Sequence, residues 1–260
     1  MGSDWLLPFY GLIVGTLVGL TGMGGGVLMT PLLVLGLGMP ATVAVGTDLA
    51  YSSLTKLAGG WQHWRQGTVD IRVVRALAIG SVPATLAAVF TLFLLHDSNT
   101  ADINALLERL IGVMLIVAAS LMVYKTWHGT QAPAAARPSH LVTFPTGRLI
   151  AIGVLGGFLV GLTSIGSGSL IIALLVMTIS LAPEKLIGTD VAHAFLLVGV
   201  AAVAHMLLLK DVDVALAAKL LVGSIPGVLI GSRLTVWVPR RPLQGVLVIL
   251  LLSSAYTLLR

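Results

Sequence analysis

The stretch "VGLTGMGGGV", Val18–Val27, and its near copy "VGLTSIGSGS", Val160–Ser169, decide how this chain folds. Each glycine inside a helix costs about 1 kcal/mol relative to alanine. Gly22, Gly24, Gly25 and Gly26 together therefore read as a break between helices, not as helix interior. The setting is almost wholly apolar: 57% of residues are hydrophobic and 10% charged, against about 25% charged in a soluble domain, and the mean hydropathy is +1.03. The runs Val73–Leu95, Leu106–Val123, Leu216–Leu234 and Leu243–Leu259 each approach the roughly 20 residues that a helix needs to cross hydrocarbon. The class is an all-α polytopic membrane protein.

Other features narrow the function. The opening "MGSDWLLPFYG" has no basic residue before Lys56, so it does not read as a cleaved signal peptide. With no cysteine, disulfides, thiolate metal sites and cysteine catalysis are excluded. "GMGGGV" lacks the Lys-Ser/Thr continuation of a phosphate-binding loop, so transport would draw on gradients, not on ATP. No cofactor, metal site or nucleic-acid partner is expected.

Val18–Ala50 aligns with Val160–Ala192 without a gap, each residue matching the one 142 positions later. Gly24 and Gly26 match Gly166 and Gly168, and "GTD" recurs as Gly46–Asp48 and Gly188–Asp190. His63 falls opposite His205 and, after one inserted residue, "GSVP" at Gly80–Pro83 meets "GSIP" at Gly223–Pro226. The chain reads as a duplication: residues 1–127, a polar linker over 128–147 containing "HGTQAPAAARPSH", and residues 148–260.

Matching loops carry opposite charge. Arg65, Arg72 and Arg75 follow the first "GTD", whereas "LKDVDVALAAK" in the second copy is balanced; "HDSNTAD" is acidic where "VWVPRRP" is basic. Under the positive-inside rule such loops lie on opposite faces, giving two inverted repeats as in many secondary transporters. Leu6–Leu20 and Val27–Leu37 would be about 15–23 Å long at 1.5 Å per residue, short of about 30 Å of hydrocarbon. Each repeat is therefore expected to hold a broken helix pair, re-entrant or tilted, followed by three full helices. In the first repeat these lie near Val43–Trp64, Val73–Leu95 and Ile103–Tyr124, and the second break is expected at Ser164–Gly168. Both termini are expected outside and the linker in the cytoplasm.

A helix broken within a bilayer must satisfy its freed backbone groups through protein or a water-filled cavity. The segment starting at Val27 offers N–H groups and a positive dipole end, and glycine lets a ligand approach them. Thr21, Gly24, Gly25, Gly26 and Thr47 form the candidate anion site in the first copy; Thr163, Ser164, Ser167, Gly168 and Thr189 form it in the second. Close helix packing is the other reading of the glycines. Asp48 and Asp190 fall inside helices, where carboxylates are costly; they hold the glycine loops or take up coupled protons or cations. Asp48, Ser52 and Lys56 share a helix face, and Val198 stands where a second lysine would be. Lys56 counters substrate charge or pairs with Asp48. His193 matches Tyr51 and is a candidate for the cavity wall, while His63 and His205 read as residues at the membrane interface or proton relays. Trp61, Trp64 and Trp237 fit interfacial belts.

The glycine-rich break, then "AVGTDLAYSSLTK", then "RQGTVD", with "LIGTDVAHAF" and "GSIPGVLIGSR" in the second copy, resembles the sulfite exporter TauE/SafE family. The resemblance covers nearly the whole chain. It implies a permease of the bacterial inner membrane for sulfite or an organosulfonate, with export as the expected direction. Protons are a candidate coupling ion, and a homo-oligomer is compatible with it. A passive anion channel is one alternative. Another is an intramembrane hydrolase using Ser167 with His193 or His205 as base.

Overall fold

A computed structural model describes residues 6–21, 25–96, 100–128, 145–234, 237 and 240–260. Among these the only regular structure is helical. The first half contains α1 (Leu6–Thr21), α2 (Gly26–Pro31), α3 (Ala41–Arg65), α4 (Ile71–His96) and α5 (Thr100–His128). The second contains α6 (Thr146–Thr163), α7 (Leu170–Thr178), α8 (Pro183–Ala204), α9 (Val214–Leu234) and α10 (Arg240–Leu259). The expected order of a broken pair and three long helices holds in each half. Of the first break only Gly25 and Gly26 fall within the described residues; the second runs from Ser164 to Ser169.

Local chemistry sets the ends. After Pro31, which has no N–H to give, α2 relaxes into a π turn over Leu32–Gly36. Gly38 then takes φ +65°, a left-handed conformation open to glycine, and Pro40 leads into α3. Pro183 opens α8 at its first turn, where a missing N–H does no harm. Among the described residues, six helices are long and apolar enough to cross a membrane: α4, α5, α6, α8 with its extension to Leu209, α9, and α10 from Pro242. α3 has 25 residues but carries Asp48, Ser52, Ser53, Thr55 and Lys56. Of these, Asp48 and Ser52 are buried in protein and Ser53, Thr55 and Lys56 are half-buried.

The helices pair across the two halves. α1 lies on α9, α4 on α6, α3 on α8, and α5 on α10. A Cβ on Gly11, Gly15 or Gly19 would strike the backbone of Leu220, Ser224 or Val228 in turn. The contacts advance together, so α1 and α9 run parallel. The matched set in the other pair is Gly153 on Leu77, Gly157 on Ser81 and Gly161 on Thr85, again parallel. In the α3–α8 pair Gly59 faces Val191 while Ser53 faces Gly199; the contacts advance in opposite directions, so these helices are antiparallel. Small residues here let backbones touch, the usual basis of helix association in lipid.

A Cβ at Gly15 would sit 2.5 Å from the Ser224 carbonyl oxygen, and one at Gly157 2.3 Å from that of Ser81. Overpacking typically costs about 1–3 kcal/mol, and here only backbone could yield. Gly15→Val and Gly157→Val should therefore each lower the melting temperature in detergent clearly. Gly147→Ala and Gly245→Ala, where nothing lies within 4 Å, should leave it unchanged or slightly raised.

Candidate functional site

The two breaks meet at Asp48. This carboxylate sits two turns into α3 and is fully buried. Its Oδ2 accepts hydrogen bonds from Thr30 Oγ1 on α2 and Ser164 Oγ at the end of α6, both at 2.7 Å. Its Oδ1 accepts one from Ser52 Oγ at 3.2 Å. A buried carboxylate needs such donors, because an unpaired one carries a large desolvation penalty. Ser164 reaches it by turning left-handed, φ 60°, as the residue that closes α6. Gly26 makes the approach feasible: a Cβ there would lie 2.3 Å from the Ser164 carbonyl oxygen and 3.2 Å from Asp48 Oδ2.

Lys56, two turns further along α3, is half-buried and donates from Nζ to Ser167 Oγ in the second break. Its ammonium lies within electrostatic reach of Asp190 and Asp48. Its direct hydrogen bond is thus to the opposite break, not to Asp48. Asp190 is buried at the position matching Asp48, but the residues matching Thr30, Ser52 and Ser164 are Ile172, Ala194 and Gly22. None of those has a hydroxyl, so the two carboxylates have different surroundings by composition.

The remaining candidates divide between bracing and lining. Thr47 Oγ1 accepts from the Asp213 N–H at 3.0 Å, and Thr189 Oγ1 from the Asp70 N–H at 2.9 Å; each ties one half to the residue before the other half's fourth long segment. Thr21 and Thr163 donate to the carbonyls of Leu17 and Leu159, both at 2.7 Å, so these hydroxyl protons serve their own helices. Gly25 is buried against Tyr51 and Ser52, Ser167 is buried, and Gly168 is half-buried. Gly24 lies outside the described residues. Tyr51 Oη is hydrogen-bonded to Ser224 Oγ, and the matching contact joins His193 Nε2 to Ser81 Oγ at 2.9 Å. Among the described residues His193 Nδ1 has no hydrogen-bond partner.

Neither histidine considered as a base for Ser167 is bonded to it. His193 is engaged with Ser81, and His205 with Asp211 and the Gly161 carbonyl. His205 is fully buried in protein, whereas His63 is half-buried. Sequence reasoning missed Thr30, Ser81, Ser224 and Asp211. The available signal was the repeated "GS-x-P", whose serine in each copy meets the residue three after the other copy's "GTD" aspartate.

Hydrogen bonds to a charged group contribute about 1.5–3 kcal/mol each. Asp48→Ala removes three, whereas Thr30→Val or Ser164→Ala removes one. Chemical unfolding in detergent should therefore rank Asp48→Ala as clearly more destabilising than either single-donor change. Equal effects from all three would show that Asp48 does not join the breaks.

The family model described as sulfite exporter TauE/SafE matches residues 7–258. The chain is 43% identical over 253 residues to the probable membrane transporter protein YjnA of Bacillus subtilis, covering 96% of this chain and 97% of that one. It is 28% identical over 234 residues to the probable membrane transporter protein YdhB of the same organism, covering 90% and 91%. The probable membrane transporter protein MJ0441 of Methanocaldococcus jannaschii is 32% identical over 177 residues, covering 66% and 61%. No solved structure matches the chain significantly. With its multiple apolar spans and its polar junction between broken helices, the chain belongs to the sulfite exporter TauE/SafE family of membrane transporters.

Proposed function

We propose that this transporter is a gradient-driven permease for a small sulfur oxyanion, sulfite or an organosulfonate, bound where the two glycine breaks meet. The observation that carries the reading is Lys56: a half-buried ammonium held against Ser167 of the opposite break. A sulfonate or sulfite oxygen replacing the Ser167 contact would keep the lysine paired. It would also meet donors from Ser167 and from the backbone amides of the two breaks near Gly25, Gly26 and Gly168. Asp48 is already satisfied by three hydroxyls and holds the breaks together; Thr47 and Thr189 brace the frame around them.

The frame is read as two inverted repeats, residues 1–127 and 148–260, joined by a cytoplasmic linker. Matched helices α3 and α8 packing antiparallel support inversion. Taken together with that inversion, the parallel α1–α9 and α4–α6 pairs require α1 and α4 of one repeat to run in opposite directions. That requirement favours a reversal at the Gly22–Gly26 break over a continuous α1–α2 helix. Rocking of one repeat against the other would expose the midplane site to either side in turn. Export across a bacterial inner membrane, with both termini outside and a proton gradient as the drive, completes the reading.

Purified protein in liposomes should take up sulfite saturably under an imposed pH gradient, with sulfate, thiosulfate and a small sulfonate run beside it. Lys56→Gln should raise the half-saturating concentration at least tenfold, about 1.4 kcal/mol. Flux that neither saturates nor follows the gradient would mean a channel. Sulfite that never moves, through protein shown to be folded, would remove the substrate class. A reporter fused after Arg260 should score outside and one inserted after His140 cytoplasmic; the same compartment for both would end the inverted arrangement.

A further inference from the structure

α8 does not end at Ala204. It widens into a π turn over His205–Leu209, closed by Lys210, whose left-handed backbone (φ 55°) donates its N–H to the His205 carbonyl at 2.9 Å. Such turns are frequent at functional sites. Here the turn presents a fully buried imidazole to two acceptors. Nε2 lies 3.0 Å from the Gly161 carbonyl oxygen, and Nδ1 lies 3.0 and 3.2 Å from the two carboxylate oxygens of Asp211. A carbonyl accepts only, and so does an ionised carboxylate. Both ring nitrogens must then donate, which a neutral imidazole cannot do. The pair is complete only with one proton beyond the neutral ring.

We infer that His205 and Asp211 form a proton-binding site whose occupancy clamps the second glycine break and couples proton movement to transport. The coupling part rests on the permease reading above; the site itself does not. When the proton leaves to water, the pair passes from net zero to one negative charge. One ring nitrogen then turns a lone pair toward an acceptor, and one of the two contacts opens. Both contacts lead to Asp48. Gly161 precedes Ser164, which donates to Asp48, by three residues in α6. On the other side, a Cβ at Gly46 would sit 2.7 Å from Asp211 Oδ1, two residues before Asp48 in α3. Asp211 is 8% exposed and lies between the apolar spans ending at Leu209 and starting at Val214, so protons reach the pair from one membrane face.

The surroundings leave the proton to this pair. Lys210 and Asp213 are the other ionisable residues of the loop. α4 packs on Gly161 through Thr85 and Ala88 and has no ionisable residue between Arg75 and His96, and α6 has none from Leu149 to Thr163. α3 contributes Asp48, already hydrogen-bonded. The matching turn in the first half is one residue shorter and has no π widening, and Thr68 stands where Asp211 does: the Nδ1 of the half-buried His63 lies 2.9 Å from Thr68 Oγ1. A hydroxyl donates or accepts, so this contact demands no donor from the ring. The first half thus places a hydroxyl where the second places a carboxylate.

That difference supplies the test. Asp211→Thr installs at this turn the residue that the matching turn already accommodates, and His205→Gln provides a second variant. NMR of histidine-labelled protein in detergent should find His205 with both ring nitrogens protonated at neutral pH; a neutral ring in folded wild-type protein overturns the site. Hydrogen exchange of residues 158–170, corrected for intrinsic rates, should lose its protection as pH rises in wild type and be independent of pH in Asp211→Thr. Protection with the same pH profile in both proteins overturns the clamp. In liposomes, acid-driven acceleration of sulfite flux should be absent from both variants, and acceleration retained in both overturns the coupling. Sulfite immobile in wild type would sink the permease's substrate alone, because the NMR and exchange measurements use no substrate.

Discussion

One carboxylate holds the centre of this molecule. Asp48 takes hydrogen bonds from α2, α3 and the end of α6, and so joins the two glycine breaks to each other. Everything around it follows from the cost of leaving such a group unpaired away from water. Gly26 must lack a side chain for Ser164 to arrive, Ser164 must turn left-handed to point inward, and α3 must carry polar residues where a membrane helix would otherwise be apolar. The glycines of the opening sequence thus answer two demands together. They interrupt the helices, and they let the interrupted ends come within contact of one another.

Away from the centre, the glycines of α1 and α6 make a different contribution. Their spacing of four residues lays a strip of bare backbone along each helix, and the partner's backbone occupies it. Gly80 and Gly223 return the same contact from the other side, on Ile150 and Pro8. With nothing hydrophobic to gain from moving out of lipid, packing of this closeness is what association in a membrane relies on. The α3–α8 pair is looser and more polar, which suits the pair that carries the site.

Much of this was legible in the sequence because the chain states it twice. Hydropathy located the long helices, and α3, α4 and α5 begin and end within four residues of their expected limits. The exact 142-residue match singled out Gly26, Asp48 and Ser164 as belonging to one feature. What pattern could not supply was partnership across the halves. Thr47 and Thr189 look like site residues because they neighbour the aspartates, yet on a helix adjacent residues point about 100° apart, and these two face loops of the other half. Thr30 is an unremarkable threonine until α2 folds back on α3. His205 reads as an interfacial residue from its place at a helix end. Only the π turn and the approach of Gly161 bury it.

The places where the two halves disagree carry more information than those where they agree. Agreement builds the frame: "GTD", "GS-x-P" and the glycine strips recur because both halves need the same contacts. Three of the departures are polar and fall at the site. Lys56 faces Val198 in the alignment, the three hydroxyls around Asp48 face residues without one around Asp190, and Asp211 faces Thr68. A purely structural duplication has no reason to place the lysine that reaches the opposite break and the buried histidine–carboxylate pair on opposite halves. A carrier does have one. If Lys56 answers the anion and His205–Asp211 answers the proton, each half responds to a different ion while both press on the Asp48–Ser164 contact. Two ligands that bias one shared element are thermodynamically linked, whatever the order in which they bind.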